Sequence, residues 1–154
     1  MAFFQFKREQ IVKSSIDEVW KFIATPENLK EITPPSMGFD ITSDGLPEQM
    51  YAGMIISYRV KPLPGYTTTW VTEITHLEPE KYFVDEQRMG PYNMWHHEHI
   101  LQEVHEGVKM IDIVSYAPPF GLFGKLANGI LIKKQLNRIF DYRVKAIDHI
   151  FNHP

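Results

Sequence analysis

Phe4, Phe6 and Arg8 of the stretch "FFQFKREQIV" fall on one parity, and Phe3, Gln5, Lys7 and Glu9 on the other. A period of two is that of a half-buried strand. The period then changes. In "SSIDEVWKFIA" the apolar residues Ile16, Val19, Trp20 and Ile23 form one helical stripe, and Ser15 followed by Glu18 is a capping-box pattern. "TPENLKEITPP" predicts a second short helix, with Thr25 as N-cap, Pro26 as first residue and Pro34-Pro35 as its stop.

From Phe39 to Tyr116 the chain reads as strands. "FDIT", "MIISYRV", "TTTWVTEITHL", "KYFVDEQRM", "NMWHHEHILQEV" and "VKMIDIVSY" are rich in β-branched and aromatic residues, and turn sequences separate them. After "APPFGLFG" a long helix is expected from about Phe123 to Phe151, with Ile132, Leu136, Ile139, Phe140, Ile147, Ile150 and Phe151 on one face. The pattern predicts an α+β fold. A curved antiparallel sheet of about six to seven strands wraps a long C-terminal helix, with two short helices after strand 1 and a hollow between sheet and helix. Residues 1–154 read as a single domain.

Composition narrows the function classes. Aromatic residues make up 13% of the chain, enough to line a cavity as well as fill a core. A net charge of −3 and scattered basic residues argue against nucleic acid as a partner. The absence of cysteine removes thiolate catalysis, disulfides and cysteine-ligated metals. "MAFFQFKREQIV" lacks the marks of a secretory signal, and prolines, glycines and Lys125 break the most apolar stretch. The expectation is a cytoplasmic protein without a transmembrane segment.

The element order, together with "SSIDEVWKFIATPENLKEITPP", "FVDEQRMGPYNMWHHEHI", "MIDIVSYAPP" and "IFDYR", resembles the START/polyketide-cyclase (SRPBCC) superfamily. The likeness is greatest to a bacterial subfamily of ligand-binding SRPBCC-domain proteins. The resemblance spans nearly the whole chain and implies the helix-grip fold. That superfamily includes lipid carriers, hormone receptors, cyclases and quinone-binding proteins, so the fold alone leaves function open.

The candidate chemistry centres on "MWHHEHIL", residues 94–101. On a strand, Trp95, His97, His99 and Leu101 face one way and Met94, His96, Glu98 and Ile100 the other. If the hairpin turns at Glu106-Gly107, Leu101 lies opposite Asp112, and Asp112, Val114 and Tyr116 share the histidine face. Phe83, Asp85 and Gln87 alternate together and are expected on the same concave face. Arg143 falls on or near the apolar stripe of the last helix, where it either pairs with Asp85 or Asp112 or snorkels at the edge. Trp20 is read as a clamp between the first helix and the sheet.

These residues admit four readings: a buried polar network, polar anchors of a ligand cavity, a metal site, or an acid–base centre. The expected function is binding of a hydrophobic or amphipathic small molecule that is lipid-, quinone- or polyketide-like. Trp70, Phe83, Trp95 and Phe140 would give apolar contact, and Asp85, Gln87, His97, His99, Asp112, Tyr116 and Arg143 polar anchors. No catalytic residue, cofactor or metal is assigned. The alternative is a cyclase/dehydratase-type enzyme using the cavity His and Asp residues. "YAPPFGLFG" is read as the mouth of the hollow, either a tight connection or a gate built on Phe120, Leu122 and Phe123 that allows transient membrane contact. The oligomeric state is expected to be monomer or homodimer.

Overall fold

The computed structural model describes residues 3–119 and 131–153. The elements run β1 (Phe4–Val12), α1 (Ile16–Ile23), two 3-10 turns (Pro26–Lys30 and Pro35–Met37), β2 (Asp40–Ile41), β3 (Ile55–Leu63), β4 (Tyr66–Glu78), β5 (Tyr82–Met89), β6 (Met94–Val104), β7 (Gly107–Ala117) and α2 (Lys133–Phe151). The seven strands form one sheet in the order β1-β7-β6-β5-β4-β3-β2, and every pairing is antiparallel. The α+β helix-grip architecture is therefore present. The expected start of the last helix at Phe123, and the proposed gate residues Phe120, Leu122 and Phe123, lie outside the described residues.

Each element follows from its local sequence. Burial along β1 alternates as its polar–apolar pattern does, and Val12 at its end is fully buried. Helix α1 has both halves of the capping box: the Glu18 amide donates to Ser15 Oγ at 3.3 Å, and the Ser15 amide donates to Glu18 Oε2 at 3.5 Å. Its stripe buries Val19, Trp20 and Ile23. Trp20 meets Phe83 edge-on at 6.2 Å, which is the clamp expected of it.

The second helix differs from expectation. It is a 3-10 turn, and Thr25 does not cap it by its side chain. The Thr25 hydroxyl instead donates back to the Lys21 carbonyl of α1 at 2.7 Å, so the residue closes the preceding helix. Pro35 opens a further 3-10 turn rather than only ending one. Proline's fixed φ suits the first helical position as well as a stop, which is why sequence alone misassigns it.

Register shifts interrupt the β3–β4 and β4–β5 ladders, and bulges of this kind bend a sheet. Polar links from β1 hold α2 across the curved sheet. Arg8 pairs with Asp141, and Gln10 Nε2 donates to the Val144 carbonyl at 2.8 Å. The stripe that α2 buries is Leu136, Phe140, Arg143 and Ile147. No helix among the described residues is long and apolar enough to cross a membrane.

Candidate functional site

The parity of β6 decides the site. His97 is 6% exposed and His99 4%, whereas His96 on the opposite face is half-buried and bonds Glu86 at 2.6 Å. Strand β5 brings Asp85 directly opposite His97, and β7 brings Asp112 directly opposite His99. The hairpin register differs from expectation by two residues. Val104 pairs with Gly107 across a His105-Glu106 turn, so Leu101 faces Met110 rather than Asp112. A slip of two preserves facing, and Asp112 therefore still lies on the histidine side.

The hydrogen bonds cross the ladders diagonally. Asp85 Oδ2 lies 3.5 Å from Nδ1 of its partner His97 but 2.6 Å from His99 Nε2. Asp112 Oδ1 lies 3.3 Å from Nδ1 of its partner His99 but 2.9 Å from His97 Nε2. The two imidazoles lie with centroids 3.7 Å apart and planes tilted by 33°, and Phe83 stacks on His99 at 4.0 Å. Arg143 closes the group from α2. Its Nη2 is 3.2 Å from His99 Nδ1 and 3.6 Å from Asp112 Oδ1, so it pairs rather than snorkels.

Electrostatics follow from this packing. Burial alone would raise the Asp112 carboxyl, but the Arg143 charge and the bonds from His97 and His99 hold it well below the usual range. For Asp85 burial is likewise outweighed, by His97, by the bond from His99 and by Arg143, and its carboxyl is lowered. Burial and the neighbouring His99 push His97 down. His99 is raised, because its bonds to Asp112 and Asp85 overcome burial. The two carboxylates thus face the Arg143 guanidinium and the two imidazoles. A neutral His97 that donates from Nε2 to Asp112 keeps a lone pair on Nδ1.

Asp85, His97 and His99 also offer ligand atoms within 4.8 Å of one another, a spacing that a metal ion could span. The neighbouring guanidinium disfavours that use. A dication there would stand close to Arg143, whose Nη2 is 3.2 Å from His99 Nδ1, and be repelled by it.

The cluster opens on an aromatic cavity of about 150 Å³ between the sheet and α2. Of the residues chosen from the sequence, Trp70, Phe83, Asp85, Trp95, His97, His99, Phe140 and Arg143 line it. Asp112 stands behind the histidines. Tyr116 is buried against Phe4, Tyr92 and Trp95. Gln87 serves the β5–β6 turn: its amide nitrogen donates to the Tyr92 carbonyl at 2.7 Å, and its oxygen accepts from the Tyr92 amide at 3.1 Å.

Sequence reasoning missed Tyr58 and Tyr92, which line the cavity beside Trp70. The alternation of Ile56, Tyr58 and Val60 on β3 could have revealed Tyr58. Tyr92 lies in a turn, where alternation gives no direction. Burial pushes both phenols up, and for Tyr58 the Asp85 charge adds to it. Among the described residues two buried donors lack a hydrogen-bond partner, Trp70 Nε1 and Arg143 Nε, both on side chains that line the cavity.

Comparison with family models and with curated proteins returns no match. Solved structures do resemble the chain. A protein from Chromobacterium violaceum aligns with a TM-score of 0.72 at 11% identity, covering 97% of this chain and 99% of its own. Major latex-like protein 151 from Panax ginseng aligns at 0.70 and 12% identity, covering 97% of each chain. A Staphylococcus aureus protein of unknown function aligns at 0.67 and 14% identity, covering 97% of this chain and 96% of its own. At such identities the likeness establishes the fold and nothing finer.

Proposed function

We propose that this chain acts as one ligand-binding domain that holds an amphipathic small molecule in the cavity between the sheet and α2. One observation carries the reading: among the described residues two buried N–H donors, Trp70 Nε1 and Arg143 Nε, have no partner, and both belong to side chains that line the aromatic cavity. An unsatisfied buried donor costs about 1–3 kcal/mol, and an oxygen on a bound molecule would recover that.

Size refines the class. An apolar cavity of roughly 150 Å³ accommodates a benzene-sized guest, whereas drug-sized sites run to about 300–1,000 Å³. The portion inside is therefore a single ring, of a phenol or a quinone, rather than a folded lipid tail. Tyr58, Trp70, Tyr92 and Trp95 supply ring faces and edges for it. Calorimetric titration with para-cresol and with toluene tests this. One-to-one binding with para-cresol preferred supports the reading, and failure of both to bind rejects it.

A second reading, acid–base catalysis of the cyclase/dehydratase kind, rests on His97. It lines the cavity and is bonded through Nε2 to Asp112 at 2.9 Å, and a neutral ring donating there keeps a lone pair on Nδ1 that can take a proton. If this reading is right, His97→Gln abolishes turnover of a cavity substrate while leaving its binding intact.

A further inference from the structure

A surface groove of about 790 Å³ lies between the second 3-10 turn, the β3–β4 hairpin and one face of α2. It shares Met37, Pro62, Gln135 and Ile139 with the inner cavity, so the two spaces meet at a neck formed by these four side chains. Gln135 bridges that neck, with its amide nitrogen bonded to the Pro62 carbonyl and 3.8 Å from Met37 Sδ. Beyond the neck the groove presents Lys61, Arg138 and Lys145, all exposed. None of the three forms an ion pair with a described residue, and the one carboxylate in the groove, Asp141, is already held by Arg8. Gln135, Arg138, Tyr142 and Lys145 recur at helical spacing along one face of α2, so a single helix face carries the neck and two of the cations.

We propose that the ligand is an amphipathic acid whose ring sits in the cavity and whose carboxylate, sulfonate or phosphate emerges through the neck onto Lys61, Arg138 and Lys145. This rests on the cavity reading above and adds the ligand's charge and direction. Placing the anion outside follows from charge. The inner cluster already holds two carboxylates, Asp85 and Asp112, around the single Arg143 guanidinium, so another negative charge there would be buried without compensation. In the groove three cations stand open to water and unneutralised. Gln135 is the side chain that must turn aside for the chain linking ring and anion to pass.

The test compares hydroxyphenylhexanoate with hydroxyphenylhexanol, which share ring and chain and differ in charge. Calorimetry is run on the wild type and on Lys61→Ala/Arg138→Ala/Lys145→Ala, whose substitutions are all at exposed positions. The wild type is expected to prefer the acid by about tenfold at low salt, and the preference should fade as salt rises. In the triple variant the acid should weaken to the affinity of the alcohol, while the alcohol is unchanged. Lys133→Ala/Lys134→Ala, removing exposed cations outside the groove, should keep the preference. Equal binding of acid and alcohol by the wild type, or an undiminished preference in the triple variant, overturns the proposal and leaves the cavity reading standing. If neither compound binds the wild type, the cavity reading fails and takes this one with it.

Discussion

Asp112 bonds His97 on the diagonal of the β6–β7 ladder, 2.9 Å from Nε2, although its register partner is His99. Asp85 makes the mirror choice from β5, bonding His99 at 2.6 Å although its partner is His97. The crossed pairing locks two tilted imidazoles between two carboxylates, and Arg143 adds a cation from α2. A cavity wall made of charged groups is thereby held rigid on strands rather than on loops.

Removing one member exposes how much the balance matters. Asp112→Ala leaves the Arg143 guanidinium buried with too little negative charge, and the expected loss is about 3–5 kcal/mol by urea unfolding. A loss below about 1 kcal/mol would mean that the cluster is hydrated and its charges screened.

The pH dependence of stability has a determined sign. Asp85 and Asp112 lie below the ordinary value of 3.8, so their contribution is present above that value and is lost as acid carries the pH through their lower folded values. His99 is raised above 6.5, and its contribution is full below 6.5 and lost as pH rises through its folded value. His97 is lowered, so its contribution is present above 6.5 and lost as pH falls. The His97 slope lies below 6.5 and the His99 slope above it, so stability peaks between the two. His97→Gln removes one of them, and urea midpoints of this variant should then decline as pH rises above about 6.5. A midpoint that climbs over the same range would contradict the upward shift of His99.

Trp70→Phe separates packing from hydrogen bonding. Truncating a buried aromatic to Ala costs about 3–5 kcal/mol. Here the smaller change also deletes an unsatisfied donor, so the empty protein should change by no more than about 1 kcal/mol. Para-cresol should bind this variant about tenfold more weakly, the equivalent of about one hydrogen bond. Unaltered affinity would remove Trp70 from the site.

Gly107 sets the register on which the site depends. Its φ is +136°, and an added Cβ would stand 2.2 Å from the Val12 carbonyl oxygen, which is backbone and cannot turn aside. Gly107→Ala should cost roughly 2–4 kcal/mol through strain and displacement of β1. Thermal unfolding matching the wild type would mean that the β1–β7 edge yields freely.

Alternation made much of this site legible. The inward set Phe83, Asp85, His97, His99 and Asp112 follows from parity, and parity survives a two-residue register error such as the one at Leu101. Arg143 was legible because helical spacing set a cation within an apolar stripe. What sequence left open has physical causes. Tyr92 lies in a turn without a period, and Gln87 shares the inward parity of β5 yet is drawn to a nearby backbone. Thr25 chose between two helix ends that local sequence serves equally. Cavity volume depends on how rings from five elements interlock, which no single segment encodes.

The most direct test follows the indole N–H resonances of the three tryptophans, Trp20, Trp70 and Trp95, during titration with para-cresol. Trp70 is assigned from the spectrum of Trp70→Phe. The account predicts a saturable downfield shift of the Trp70 signal as its unpartnered donor meets the phenol oxygen, with Trp20 unmoved. A Trp70 resonance that stays in place through millimolar para-cresol would contradict it.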